Sequence, residues 1–257
     1  MAMHSRRGRL LAAMWCCVPP LLSMLLATTS ARAVEISLHN GEYSLAREKQ
    51  PSLILPPVEG KTAFDRIMDP AHLTFTGLGP AGDKALTVDR DGPEEFFTVL
   101  GRTPRLPDFH PESPMFAYVS SRPGDSTMLL TRATDCPAPC ARVFWIRLQR
   151  DGEDVPYPCH AHRTSGLGGD AATASGLRLG MTPDEVRAVL GPTPAEADGS
   201  LYYQADYGAN LPREEILARG WPERYAEKSQ LITRIVKITF RDDRAASIFV
   251  MHGITWD

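Results

Sequence analysis

Prolines and glycines leave this chain little room for long regular segments. Its 257 residues include 22 prolines and 20 glycines, and the prolines often fall in pairs or in loops. Proline locks φ and removes a backbone donor, while glycine favours turns. Many short strands joined by turns are therefore expected, rather than long helices. The hydrophobic fraction of 43% excludes wholesale disorder.

The first 33 residues have the three parts of an export signal. Arg6, Arg7 and Arg9 precede an uncharged apolar stretch from Leu10 to Leu26, and Ala31-Arg32-Ala33 supplies a small-x-small cleavage site. The stretch is shorter than the ~20 apolar residues of a membrane span, and Pro19-Pro20 interrupts it. Cleavage near Ala33 is expected, giving a periplasmic or secreted protein that starts near Val34 and has no membrane span. Cys16 and Cys17 follow Trp15, where acylation would want small residues, so both read as apolar filler. Losing Arg6, Arg7, Arg9 and Arg32 takes four from the 28 Lys+Arg against 31 Asp+Glu, so the formal net charge falls from −3 to −7. That balance, with no Lys/Arg run, disfavours nucleic acid and other polyanions as partners.

A composition shift at His162–Ser175, rich in small and polar residues, reads as a linker between two domains. Upstream, residues 34–161 offer strand candidates at Glu35–His39, Ser52–Leu55, Leu73–Thr76, Ala85–Val88, Phe96–Leu100, Phe116–Ser120, Ser126–Thr131 and Val143–Leu148. They imply a mainly antiparallel domain with no helix. Downstream, Thr182-Pro183-Asp184-Glu185 is a capping box with proline at the first helical position and acids in the first turn. Met181 and Val186 are placed as a hydrophobic staple. Val186, Val189 and Leu190 form one apolar stripe, and Gly191-Pro192 stops the helix. A strand at Leu201–Tyr207, a second short helix from Pro212 to Gly220, and a hairpin of Ile232–Arg241 with Ala245–Met251 follow. Val236, Ile238 and Phe240 alternate with Lys237, Thr239 and Arg241, predicting one buried face.

The run Leu177 to Val186, then Leu190-Gly191-Pro192, Tyr202-Tyr203 and Phe240-Arg241-Asp242-Asp243, resembles the SmpA/OmlA (BamE-like) outer-membrane assembly factors over roughly the last 80 residues. Gly191-Pro192 lacks the family's usual spacer, a role Pro194 can take. Members are usually lipoproteins, whereas this leader has no lipidation site, and the stretch between Tyr207 and Ile232 is longer than the family's. The resemblance implies an α+β fold for residues 176–257, with two short helices packed on an antiparallel sheet, and a role in contacts between envelope proteins.

Three cysteines outlast the leader: Cys136, Cys140 and Cys159. In an oxidising compartment one disulfide is expected. Cys136–Cys140 would clamp the mouth of a hairpin loop, and Cys140–Cys159 would close a longer one; the first is the working expectation. Cys159-His160-Ala161-His162 is the one candidate metal motif, but its spacing is not typical of structural zinc and oxidation competes for the thiols. Gly77-Leu78-Gly79-Pro80-Ala81-Gly82 matches a dinucleotide-binding spacing, yet Pro80 and the strand-like residues after it make it a turn. Asp108, Glu112, Asp135 and Asp154 read as solvated turn acids. No cofactor, metal or catalytic residue is assigned.

The densest aromatic cluster is Tyr202, Tyr203, Tyr207, Trp221 and Tyr225. Tyr203 and Tyr207 suit a core, and Tyr202, Trp221 and Tyr225 a partner-binding surface. A non-enzymatic exported protein that binds another envelope protein is the expectation. A secreted inhibitor or ligand-binding module, or a hydrolase with its site in the N-terminal half, are the alternatives.

Overall fold

The computed structural model describes residues 63–107, 113–134, 140–150, 160–192, 195–197 and 199–256. The leader expected at residues 1–33, the strands expected at 35–39 and 52–55, Cys136, Cys159, Pro194, Asp108, Glu112, Asp135 and Asp154 lie outside them.

The described chain runs α1 (Ala63–Ile67), a 3-10 turn (Pro70–His72), β1 (Thr74–Leu78), β2 (Lys84–Thr87), α2 (Pro93–Leu100), β3 (Met115–Ser120), β4 (Thr127–Ala133), β5 (Val143–Arg150), β6 (His162–Thr164) and β7 (Ala172–Thr173). It continues through α3 (Pro183–Leu190), β8 (Ala195–Ala197), β9 (Ser200–Ala209), α4 (Arg213–Ala218), a second 3-10 turn (Glu223–Glu227), β10 (Gln230–Arg241) and β11 (Arg244–Trp256). Eight strands form one sheet in the order β6-β3-β4-β5-β11-β10-β9-β8, and three form a small sheet, β2-β1-β7. All described pairings are antiparallel except β3 with β6.

The expected division into a β-rich domain followed by a small BamE-like layer of two helices on its own sheet is not what the chain adopts. β5 pairs directly with β11, so the C-terminal hairpin extends the sheet begun by the N-terminal half. Side-chain rows cross that junction unbroken. Tyr118, Leu129, Leu148, Ile248, Ile238 and Leu201 lie opposite one another on six successive strands, and all are buried. The neighbouring row is Phe116, Thr131, Ile146, Val250, Val236 and Tyr203. These rows share one core with Phe75, Leu78 and Leu86 of the small sheet, Phe96 and Leu100 of α2, and Val186 and Leu190 of α3. Cross-strand pairs and continuous burial bind such a sheet into one body.

The large sheet is also buried on its second face. Met115, Met128, Leu130, Trp145, Ile235, Phe249 and Met251 form a separate cluster there, and every residue of β4 is buried. The one-sided pattern expected of β10 therefore holds only near the hairpin turn; from Ile232 to Val236 both faces are covered. Residues 162–175, expected as a linker, contribute β6 and β7 and bury Leu167 and Ala171.

Residues 96–100 are helical, not extended. Gly92 precedes Pro93 at the first turn, its N–H donates to Glu95 Oε2 at 2.9 Å, and Phe96 and Leu100 are buried one turn apart. β-prone aromatic residues masked a start signal that lies just before them. α3 carries the expected box: Thr182 Oγ1 accepts from the Glu185 N–H at 3.2 Å, and Glu185 Oε2 accepts from the Thr182 N–H at 2.7 Å. Gly191 ends α3 at φ 86°, where a Cβ would sit 2.2 Å from Arg66 Nη1, and its carbonyl accepts from the buried Tyr203 hydroxyl at 2.9 Å.

Candidate functional site

Between β9 and β10 the chain leaves the sheet for residues 210–229, and buried polar groups hold this excursion in place. Ile216 on α4 is fully buried and seats it. At its base the buried Gln230 accepts from the Leu211 N–H at 2.6 Å and donates its amide to the carbonyls of Tyr225 and Lys228. Both ends of the loop are thus tied through one side chain. Arg213 pairs with Glu223 at 2.6 Å across the loop.

Arg219, at the C-terminus of α4, links the excursion to the core. Its Nη1 donates to both carboxylate oxygens of Asp89 at 2.8 and 2.9 Å, its Nε and Nη2 donate to Glu215 Oε1, and its plane covers the Trp221 ring at 5.1 Å. A planar guanidinium serves all three because its donors diverge while its face stays free. Asp89 follows β2 at φ 65°, a conformation that aspartate tolerates better than most residues. Burial pushes the Asp89 carboxyl up, against the pull of Arg219. Burial works against the Arg219 charge as well, but Asp89 and Glu215 outweigh it and hold the guanidinium above its ordinary value.

Behind this pair lie His252 on β11 and Arg234 on β10, both buried. Arg234 donates to the Met68 carbonyl at 2.6 Å, and its Nε and Nη2 lie 3.4 and 3.2 Å from His252 Nδ1. Guanidinium only donates, so Nδ1 accepts and the ring proton sits on Nε2. Nε2 is 3.6 Å from Asp89 Oδ2, too far for a hydrogen bond. Despite that carboxylate, His252 is neutral: burial, then Arg234 and Arg219, push its pKa down to about 3.

Of the aromatic residues expected to face a partner, two share one segment. Trp221 and Tyr225 are half-buried on the excursion, with Arg224 and Lys228 over Tyr225 at 5.5 and 5.7 Å. Tyr202 stands apart. It lies near the start of β9, roughly 23 Å at the strand rise from the end that leads into the excursion, and Lys237 covers its ring at 5.1 Å. Four side chains of this site carried no sequence signal. Asp89, Arg219, Arg234 and His252 come from separate segments, and only the sheet register joins them. Leu217 on α4 is 44% exposed, the one large exposed hydrophobic residue among those described. An open depression of about 300 Å³ is lined by Asp89, Arg90, Arg142, Glu215, Ala218 and Arg219 among others.

One serine–histidine pair invites an enzymatic reading. Ser175 Oγ is 2.7 Å from His72 Nδ1, and His72 Nε2 is 2.7 Å from the Arg66 carbonyl. The carbonyl places the proton on Nε2, so Nδ1 accepts from Ser175. Acyl transfer also needs free N–H groups beside the nucleophile. Here the Ser175 N–H donates to the Ala71 carbonyl, Gly176 to the Thr173 carbonyl and Leu177 to Thr173 Oγ1. With His72 only 2% exposed, the pair is a latch between the first 3-10 turn and β7. Of residues 77–82, Gly77 and Leu78 end β1 and the rest lie in the turn to β2. Among the described residues no group of three or more His, Cys, Asp or Glu side chains is placed to hold a metal ion. Cys140 is disulfide-bonded; the two cysteines considered as its partner are outside the described residues. No described helix is long and apolar enough to cross a membrane.

Comparison with protein-family models, with curated proteins and with solved structures finds no match.

Proposed function

We propose that this is an exported, non-enzymatic protein of the cell envelope that works by binding another envelope protein through residues 210–229. The observation that carries the reading is Leu217, exposed on the same excursion as the half-buried Trp221 and Tyr225, a segment anchored by Ile216, Gln230 and the Arg219–Asp89 pair. Large apolar and aromatic side chains on a pre-ordered surface lose little entropy on association, which is what binding hot spots need. The leader, from Arg6 to Ala33, supports export.

The test is photo-cross-linking in the exporting cell, with p-benzoylphenylalanine at position 217 and, as a control, at the exposed Arg163 on β6. A discrete adduct with one envelope protein from position 217, absent from position 163, is expected. Equal adducts from both positions, or none from 217, would overturn the proposal.

A further inference from the structure

A second concave surface lies at the end of the β10–β11 hairpin, and its charge is opposite to that of the chain as a whole. Three arginines converge there: Arg150 at the end of β5, Arg241 at the end of β10 and Arg244 at the start of β11. With Gly180, Ala245, Ala246 and Asp242 they line a depression of about 420 Å³. The geometry has local causes. Asp242 and Asp243 both take positive φ, 50° and 55°, the tight turn that matches strand twist. That turn sets Arg241 directly opposite Arg244, a like-charge cross-strand pairing that is unfavourable by itself. Arg244 is steadied by donating to the Gly180 carbonyl at 3.2 Å. The floor is small side chains and a glycine, and a Cβ at Gly180 would meet nothing within 4 Å, so the hollow stays open.

Three arginines and one aspartate, Asp242, line the depression, and all four residues are exposed; Glu185 on α3, whose carboxyl the Thr182 N–H and then Arg178 and Arg244 hold below its ordinary value, is a second carboxylate close to Arg244. Arginine's planar fork matches the oxygens of phosphate, sulfate or carboxylate groups, and the volume falls within the range of small-ligand sites. The formal net charge of −3 for the whole chain opposes extended polyanions but leaves a compact anion free to enter this spot. We infer that the Arg150–Arg241–Arg244 depression is a binding site for a compact oxyanion of the phosphate-ester type. Such a group comes either on a small soluble molecule or on a lipid headgroup. The site is separate from residues 210–229 and stands whether or not that surface binds a partner.

Calorimetric titration of the full chain with inorganic phosphate, at fixed ionic strength, tests the site. A saturable isotherm for the wild type is expected, with affinity at least tenfold weaker in an R150Q/R244Q double variant and unchanged in R163Q, which removes the same kind of charge from β6. Flotation with vesicles of phosphatidylcholine, with and without phosphatidylglycerol, separates the two sources. Arginine-dependent flotation only with phosphatidylglycerol assigns a headgroup, and phosphate binding without flotation assigns a soluble ligand. If the wild type binds neither probe, or if the double variant binds phosphate as the wild type does, the inference is wrong.

Discussion

Lowering the pH from 7 to 5 is expected to cost the folded protein about 2 kcal/mol through His252 alone. The ring is 7% exposed, accepts from Arg234 at Nδ1, and has its pKa held down to about 3 by burial, Arg234 and Arg219. In the unfolded chain it titrates near 6.5. Between those values the unfolded state binds the proton and the folded state does not, so stability falls as pH falls. Each unit below 6.5 removes about 1.4 kcal/mol, which gives about 2 kcal/mol at pH 5 and about 3 kcal/mol at pH 4. Asp125, Glu185 and Glu223, whose carboxyls are held below their ordinary values, also lose their contributions on acidification, but only below roughly pH 4.5. Asp89, pushed up by burial, acts in the opposite sense: its contribution is complete below the ordinary carboxyl value and fades as pH rises through its folded pKa. Comparing the wild type with a variant that cannot titrate at position 252 separates the His252 contribution from that of Asp89. His252→Gln keeps an acceptor for Arg234 and cannot titrate. Urea melts of both proteins at pH 7 and pH 5 measure the effect: the wild type should lose about 2 kcal/mol more than the variant. Equal losses would refute the neutral, buried imidazole.

Other changes follow from the same geometry. Asp89→Asn keeps the positive-φ tolerance but leaves the partly buried Arg219 paired with Glu215 alone among the described residues, so a loss of about 2 kcal/mol in urea midpoint analysis is expected. Thr182→Ala should cost about 1 kcal/mol by removing one half of the capping box. Gly191→Val should cost more, because φ 86° and Arg66 Nη1 at 2.2 Å from the new Cβ both oppose it; both variants are read by thermal melts. A fluorophosphonate probe should leave the protein unlabelled. Stoichiometric labelling that disappears in Ser175→Ala would establish the hydrolase alternative instead.

Elements whose signals are local were legible in the sequence. The box at Thr182–Glu185, the strand at Leu201–Tyr207 and the hairpin through Asp242-Asp243 depend on neighbours in the chain, and each appears where capping, alternation and turn chemistry place it. α2 was hidden because Phe96, Phe97, Val99 and Leu100 suit a strand as well as a helix, and only the Gly92-Pro93-Glu94-Glu95 start distinguishes them. The continuity of the large sheet was not legible. The pairing of β5 with β11 joins residues about a hundred positions apart, and the polar run at 162–175 reads like a spacer although β6 and β7 lie within it. Trp221 and Tyr225 stood out as aromatic residues in a polar stretch. Their anchors did not, because Arg219 finds Asp89 across 130 positions and Gln230 resembles any polar strand residue. The arginine depression escaped for the same reason: Arg150, Arg241 and Arg244 come from three strand ends and form no run.

The most direct test of partner binding through residues 210–229 is a paired measurement on Leu217→Asp in the full chain. The partner captured by the position-217 cross-linker is purified and titrated against wild type and variant, and each protein is melted in urea. Leu217 is already 44% exposed, so the variant should melt within about 0.5 kcal/mol of wild type, while a charge placed in the contact weakens binding by about 2 kcal/mol or more. Unchanged affinity with unchanged stability would remove residues 210–229 as the binding surface. A loss of affinity matched by an equal loss of stability would show that Leu217 serves the fold instead.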